Sequence, residues 1–492
     1  MDIFSYSAYS ISIDNSGCKG SGIVKENISG NLNNNITNLD NIFKDCNDIL
    51  KREFEIGIDE KKKACAYFVE TAVSGITMQE LLLGVTDTRD IYTVDDAVTG
   101  VLIGDAVIFI EGEEKAVQVK SNGYPGMGIN EAENEQTMRG SKEAFSDSEK
   151  SNTALIRKRI RSVDLKVVER KIGKYSNTNV AVVYMESIVR PQVLDEVKQK
   201  LDSFTVDGVM DSGIIEQLIE QFPYSPFPQY QVTERPDKAA MAVLDGRIVI
   251  LSDNSPDALI LPVNYGSFFN TPDDYYRRFE ISSFTRMIRY ISAFLAMVFP
   301  AFYLAVIKFH TELLPTELAL AFAEARMGVP FSAFAEVIVM ELSFELIREA
   351  GVRIPGPMGS TIGIVGGLIV GQAAVEANLV SPIIVIVVAI TALCSFAVPN
   401  EEFSSAFRII KYFVIVLAAF FGLYGCVIGM LVVLIHLAGL NSFHFPYLGP
   451  EAAGEINRLY DRKDFLVKYP AKKLKFRNMF STPDNRKKME RK

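Results

Sequence analysis

The sequence has no tryptophan, only three histidines and only five cysteines in 492 residues, and the few cysteines and histidines narrow the functions open to it. Cys18, Cys46, Cys65, Cys394 and Cys426 form no Cys-x-x-Cys pair and no zinc spacing, and two of them lie in apolar runs. That pattern suits reduced thiols and excludes a disulfide framework. His310, His436 and His444 all fall in the apolar second half. The signatures G-x-x-x-x-G-K-[ST], H-E-x-x-H and G-x-S-x-G are missing, and Gly123, Gly126 and Gly128 lack the Lys-Ser/Thr and the helix that a phosphate cradle needs. No catalytic residue, metal or cofactor is therefore expected, and the chain reads as no enzyme. The first residues have neither a basic region nor an apolar core, so no cleavable signal peptide is expected and the N-terminal part is placed in the cytoplasm.

What the chain does have is charge and grease kept apart. Charged residues make up 23% of the sequence, yet they crowd positions 40–290 and the end after 450, while the stretch between is mostly Ile, Val, Leu, Phe, Ala and Gly. A hydrocarbon solvent selects that composition. The formal net charge of −9 says little about partners under such segregation.

The pattern predicts five regions. Residues 1–40, rich in Ser, Asn and Gly, read as a disordered leader. Residues 41–170 and 171–280 read as two small α/β cytoplasmic subdomains, 281–445 as an all-α polytopic transmembrane domain, and 446–492 as a basic cytoplasmic tail. Within the α/β part, Ala106–Glu111 and Ala116–Lys120 predict a hairpin, 121–138 a loop, and Ser151–Arg161 a basic helix. A strand over Val180–Tyr184 and helices over Gln192–Leu201 and Gly213–Glu220 follow. Ala240–Leu244 and Arg247–Leu251, joined by Asp245-Gly246, predict a second hairpin, because Asp-Gly supplies the positive φ angles of its turn.

Apolar runs start at Ile291, Phe331, Gly359, Ile383 and Phe407. Arg277, Arg278, Arg286 and Arg289 before the first, and Lys472, Lys473, Lys475, Arg477, Arg486, Lys487 and Lys488 after the last, put both flanks on the cytoplasmic side. An even number of crossings is then required. The last run, Phe407–Leu440, exceeds one span and carries Gly422, Gly425 and Gly429 at its middle, so it is either one long tilted helix or two short ones that turn at those glycines, and the even count favours the turn. The tail lysines suit anionic lipid headgroups.

Carboxylates inside these runs are the candidate site. Glu341 and Glu345 fall with Arg348 on one helical face and Glu336 lies off it, while Gln372 and Glu376 sit one turn apart. Acids at membrane depth are costly unless paired or wetted, so they read as an ion pathway, a pore lining or an interhelical contact. An amphipathic helix lying at the interface, with Glu345 and Arg348 as a surface pair, remains the alternative. Gly359, Gly363, Gly367 and Gly371 recur every fourth residue and bare one helical face for helix packing. The basic run Arg157–Arg161 has no interleaved aromatics and reads as a helix face paired with the domain's own acids, with no nucleic-acid partner.

Several ordered motifs resemble the A subunit of the spore germinant receptors, the GerA family. They are Asp207-Gly208-Val209-Met210-Asp211-Ser212-Gly213, Ser225-Pro226-Phe227-Pro228-Gln229, Thr233-Glu234-Arg235-Pro236-Asp237, Gly328-Val329-Pro330-Phe331, Met340-Glu341, Phe344 to Gly351, Ile364 to Gly367 and Gly371 to Ala377. The resemblance spans roughly residues 45–465. It implies a membrane subunit that assembles with a transporter-like B subunit, which senses the nutrient, and a lipoprotein C subunit in the inner membrane of a dormant spore. It further implies a homo-oligomer, a pentamer, that releases cations when germinant binds. Two stretches depart from the family pattern, Arg139-Gly140-Ser141-Lys142-Glu143 and Asp147-Ser148-Glu149-Lys150. Arg-Gly-Ser also occurs in the paralogous stage V sporulation protein AF, an accessory channel-like protein and the alternative within the family. A secondary transporter and a plain scaffold are the alternatives outside it, although no internal repeat of the transporter kind is visible.

Overall fold

The computed structural model of the chain describes residues 26–57, 61–72, 88–121, 124, 131–352, 367, 370–450 and 464–489. Cys18, Gly123, Gly126, Gly128, Gly359 and Gly363 lie outside the described residues. Two compact units divide the chain: Met1–Lys44 with Ile49–Tyr124, and Asp45–Asp48 with Pro125–Lys492.

The first unit is an antiparallel sheet in the order β1-β2-β4-β5-β3, with β1 Ile49–Ile56, β2 Lys62–Val69, β3 Thr88–Ile91, β4 Ala106–Ile110 and β5 Ala116–Val119. The expected hairpin is β4–β5. Ala64, Ala66, Ile108 and Val119 form its core, while β1 at the edge is largely exposed and carries Lys51, Arg52, Glu53 and Glu55. Charge on an edge strand discourages pairing with a foreign chain. One expectation is corrected here. Helix α1, Leu32–Ile42, lies largely inside the supposed leader. Asn31 caps it by accepting from the Asn33 N–H, Asn35 bonds Ser29, and Leu32 and Leu39 are buried. The asparagines act as caps and local hydrogen-bonding groups rather than as a mark of disorder. Helix α2, Val94–Ile103, is capped by Thr93 and stopped by Gly104 at φ +104°.

The second unit opens with a further antiparallel sheet, β6-β7-β9-β10-β8, formed by Leu165–Ile172, Thr178–Met185, Ile248–Ser252, Ala258–Leu261 and Gln231–Thr233. Helices α3 (Glu149–Arg159) and α6 (Pro236–Leu244) cover one face, and α4 (Pro191–Asp202) and α5 (Ser212–Ile219) cover the other. The helix before Asp245 replaces the strand expected there. Pro236 starts it, Ala-rich sequence favours it, and Gly246 at φ +89° ends it. An Asp-Gly pair stops a helix as readily as it turns a hairpin. The basic run is tied inward: Arg157 is fully buried on Asp48 at 2.7 and 2.9 Å, and Lys158 and Arg159 hold Glu143 at 2.7 and 2.6 Å.

Six labelled helices complete this unit: α7 Phe279–Phe309, α8 Thr316–Ala325, α9 Ala333–Val352, α10 Pro382–Phe396, α11 Glu401–Phe421 and α12 Leu423–Gly439. Among the described residues α7 and α11 are long and apolar enough to cross a membrane; α10 and α12 are shorter and apolar. At 31 residues α7 is about 46 Å long. Ala293, Ala301, Leu304 and Ala305 of α7 share one core with Ala406, Ile410, Val414 and Ala418 of α11. Outward, Phe294, Phe302, Ile409, Phe420, Leu431 and Ile435 are exposed, as suits helices solvated by lipid. The glycine turn expected in the last run is Gly422, at φ +60°; a Cβ on Gly425 would fall on the Leu417 carbonyl oxygen.

Helices α7 and α11 leave the α/β side together, and Lys308 at the far end of α7 donates to the Ala419 carbonyl at 2.7 Å. Helix α12 returns, so that His436 meets Ser225 at 2.9 Å. The motif Ser225–Gln229 is the joint. Phe227 packs within 5.9 Å of Phe403 and 5.7 Å of Phe407, and Phe268 stacks on Phe403 at 4.7 Å.

The basic tail also binds protein. Met479 and Phe480 are buried in the core of the second sheet, Arg190 donates to the Met479 carbonyl at 2.8 Å, and Lys488 pairs with Asp245 at 2.9 Å. Lys472, Lys473 and Lys475 stay exposed.

Candidate functional site

Helix α9 carries Glu341 and Glu345 one turn apart, and α11 carries Arg408 and Lys411 one turn apart, so the two rows face each other. Lys411 Nζ lies 2.5 Å from Glu341 Oε2 and 3.6 Å from Glu345 Oε1. Arg408 Nη1 donates to Glu345 Oε2 at 3.1 Å, and Arg348 Nη1 stands 3.6 Å from the same oxygen. Glu341 is 2% exposed and Lys411 4%, so this charge sits in a low-dielectric setting where each partner depends on the other. Glu341 Oε1 has no hydrogen-bond partner among the described residues.

The cluster borders a cavity of about 1240 Å³ between α9, α10, α11 and the helical residues 370–376. Its walls are apolar, with Phe344, Val385 and Ile386 among them, and the polar groups are Glu341, Glu345, Arg348, Gln372, Glu376 and Lys411, with Arg408, Ser395 and Thr391 beside them. Gln372 Nε2 donates to Glu376 Oε1 at 2.9 Å and both side chains are exposed. Gly367 and Gly371 line the same cavity; a Cβ on Gly371 would meet Val385 at 3.2 Å and one on Gly367 would meet Phe344 at 3.7 Å.

Glu336 belongs elsewhere. It is 1% exposed, accepts from Arg326 at 2.9 Å, and takes the Ser381 N–H at 3.0 Å at the start of α10. This arrangement fixes helix ends and leaves no carboxylate oxygen for the cavity. Of the five polar candidates, four therefore gather around one space, and Glu336 stands apart.

The basic partners Arg408 and Lys411 escaped sequence reading, because they sit at the start of a run read as apolar. The available signal was their i, i+3 spacing: two cations in a span demand carboxylates on a neighbouring helix.

On the α/β side acids also crowd together. Burial, then repulsion from Glu402, Glu220 and Asp211, pushes the Glu216 carboxyl up to about 8. Burial, then Glu234, Asp211 and Glu135, raises Asp257 to about 6.

Antiparallel α/β units carrying an apolar helical region, two of whose helices can cross a bilayer, define the class. Within it, the profile described as Bacillus/Clostridium GerA spore germination protein matches residues 37–480. Spore germination protein A1 of Bacillus subtilis (strain 168) is 40% identical over 386 residues, covering 78% of this chain and 80% of that one. Spore germination protein B1 of the same organism is 34% identical over 480 residues, covering 93% and 99%. An uncharacterized membrane protein, YfkQ, also of Bacillus subtilis (strain 168), is 36% identical over 445 residues, covering 86% of each. The crystal structure of the N-terminal domain of the A subunit of the Bacillus megaterium spore germinant receptor GerK3 aligns at TM-score 0.39 and 24% identity, over 49% of this chain and 99% of that one. The chain belongs to the GerA family of spore germination proteins.

Proposed function

We propose that the chain is the A subunit of a nutrient-germinant receptor and that it forms an oligomeric, pentameric cation channel in the spore inner membrane. It works there with a transporter-like B subunit and a lipoprotein C subunit, and both its α/β domains and its tail face the cytoplasm. The observation that carries the reading is the set of carboxylates Glu341, Glu345 and Glu376 around one cavity among apolar helices. Carboxylates in such a place attract cations and water, whereas a plain anchor gains nothing from them. Membership of the spore germination family supports the receptor assignment, and the chain works by conduction and not by catalysis.

The test is potassium release from spores that carry receptor variants. Glu376→Gln slows germinant-triggered release while the protein remains at normal level in the membrane, and Glu341→Gln is read only in spores that hold it at normal level, because it strips Lys411 of its carboxylate. Release at wild-type rate with normal protein level removes these carboxylates from the path. Single-particle imaging of the detergent-solubilised assembly adds an independent result: a ring around an axis supports conduction, and a monomer with a closed central site supports a transporter.

A further inference from the structure

Two cavities meet at one wall. A cleft of about 480 Å³ lies between the edge of the second sheet and the turn joining α10 to α11, and it is lined by Glu234, Asp257, Glu401 and Glu402 among others. The cavity of about 1240 Å³ lies among the helices and opens outward past the exposed Ile386 and Leu393 of α10. Arg348, Ser395, Phe396 and Arg408 line both.

The wall is built from three helices. Arg348 of α9 donates to Ser395 Oγ of α10 at 2.7 Å and covers the Phe396 ring at 4.5 Å from its centroid. Arg408 of α11 bonds Ser405 and Glu345, and Glu345 also faces Arg348. One carboxylate thus gathers two guanidinium groups, and one of these is pinned to the third helix by a hydrogen bond and a ring. Along the line from cleft to cavity the charge runs acidic at Glu401 and Glu402, then basic at Arg348 and Arg408 about Glu345, and beyond them Lys411 holds Glu341 while Glu376 is bonded by Gln372. A cation drawn into the cleft by Glu401 and Glu402 meets two fixed positive charges before it reaches Glu376.

We infer that Arg348 and Arg408, clamped on Glu345, form the barrier between the cleft on the α/β side and the cavity among the helices, and that release of Arg348 from Ser395 and Phe396 joins the two spaces. Arg348 and Arg408 are positioning residues, because their effect on ions acts through the closed wall. The barrier gives the proposed conduction reading its closed state and rests on that reading for its purpose. Its existence is measured separately.

The experiment uses the full chain in lipid nanodiscs, with Ala389→Cys placing a thiol on the cavity wall. A water-soluble, positively charged methanethiosulfonate reagent is applied, and modification at position 389 is read by peptide mass. With Arg348 present, labelling is slow. Arg348→Ala on the same background raises the rate at least about tenfold, the change expected from loss of the hydrogen bond to Ser395 by itself. Arg348→Lys, which keeps the charge but not the fork over Phe396, gives a smaller rise. Equal rates with and without Arg348, whether fast or slow, overturn the barrier. If Arg348→Ala does not yield a monodisperse protein, Ser395→Ala decides, because it removes one hydrogen bond from a side chain at the wall, and an unchanged rate in that variant overturns the proposal. Spores carrying Arg348→Ala separate the two readings. Potassium leak without germinant supports both, whereas faster labelling without leak keeps the barrier and overturns conduction.

Discussion

Lys411 Nζ stands 2.5 Å from Glu341 Oε2 across the contact of α9 with α11, and both side chains are almost sealed from solvent. Neither charge is tolerable there alone. Lys411→Met is expected to lower the thermal unfolding temperature of the detergent-solubilised protein, since stripping one partner from a buried pair costs about 3–5 kcal/mol. Adding Glu341→Gln to that variant restores much of the loss. A double variant no more stable than Lys411→Met alone argues against direct dependence of one residue on the other.

The turn between α11 and α12 makes a sharper steric demand. Gly425→Val places a side chain on the Leu417 carbonyl, so the hairpin cannot close, and the variant is expected to fall out of the membrane fraction or to elute as aggregate. Gly439→Ala, where a Cβ meets nothing within 4 Å, serves as the control and keeps the normal elution profile.

Arg157 is held by Asp48, with side-chain exposures of 0% and 5%. Asp48→Ala takes the carboxylate away from that buried guanidinium, and the expected destabilisation is about 3–5 kcal/mol. Chemical denaturation followed by circular dichroism measures it, and a change below about 1 kcal/mol, the worth of a surface pair, contradicts the burial argument.

The contribution of two buried carboxyls to the stability of the second unit should fall as pH rises. The Glu216 carboxyl titrates near 8 and Asp257 near 6 in the folded chain, both above the ordinary carboxylate value. A raised carboxyl pKa means the folded state holds the proton more tightly than the unfolded state. Their contribution is therefore greatest below the unfolded value, declines from about pH 4.5 upward, and levels off above about pH 8. Glu216→Gln flattens this decline in melting temperature against pH; a profile as steep as the parent's places the titration on another group.

Much of the architecture could be read from residue patterns because local chemistry there agrees with the final fold. The β4–β5 hairpin has two runs rich in Val, Ile and Phe around a charged turn, and the last apolar run turns at its glycines. The readings that failed involve ambiguous signals. Asp245-Gly246 fits a hairpin and a helix stop equally, and only the Ala-rich segment before it decides. Asn31 and Asn35 resemble linker residues, but Asn31 caps a helix and Asn35 ties its first turn to Ser29. Four of the acidic or amide candidates converge on one cavity, as shared helical faces imply. Their cationic partners Arg408 and Lys411 come from a helix more than sixty residues further along, and no local periodicity reports such a pairing. Met479 and Phe480 were hidden in the same way, by the lysines around them.

Met479 and Phe480 have a consequence for biogenesis. They fill the interior of a sheet whose first strand starts at Leu165, yet the ribosome makes them after every helix of the apolar region. The five strands can pair before then, but the core packed on them lacks two of its buried side chains until the last residues of the chain have been made.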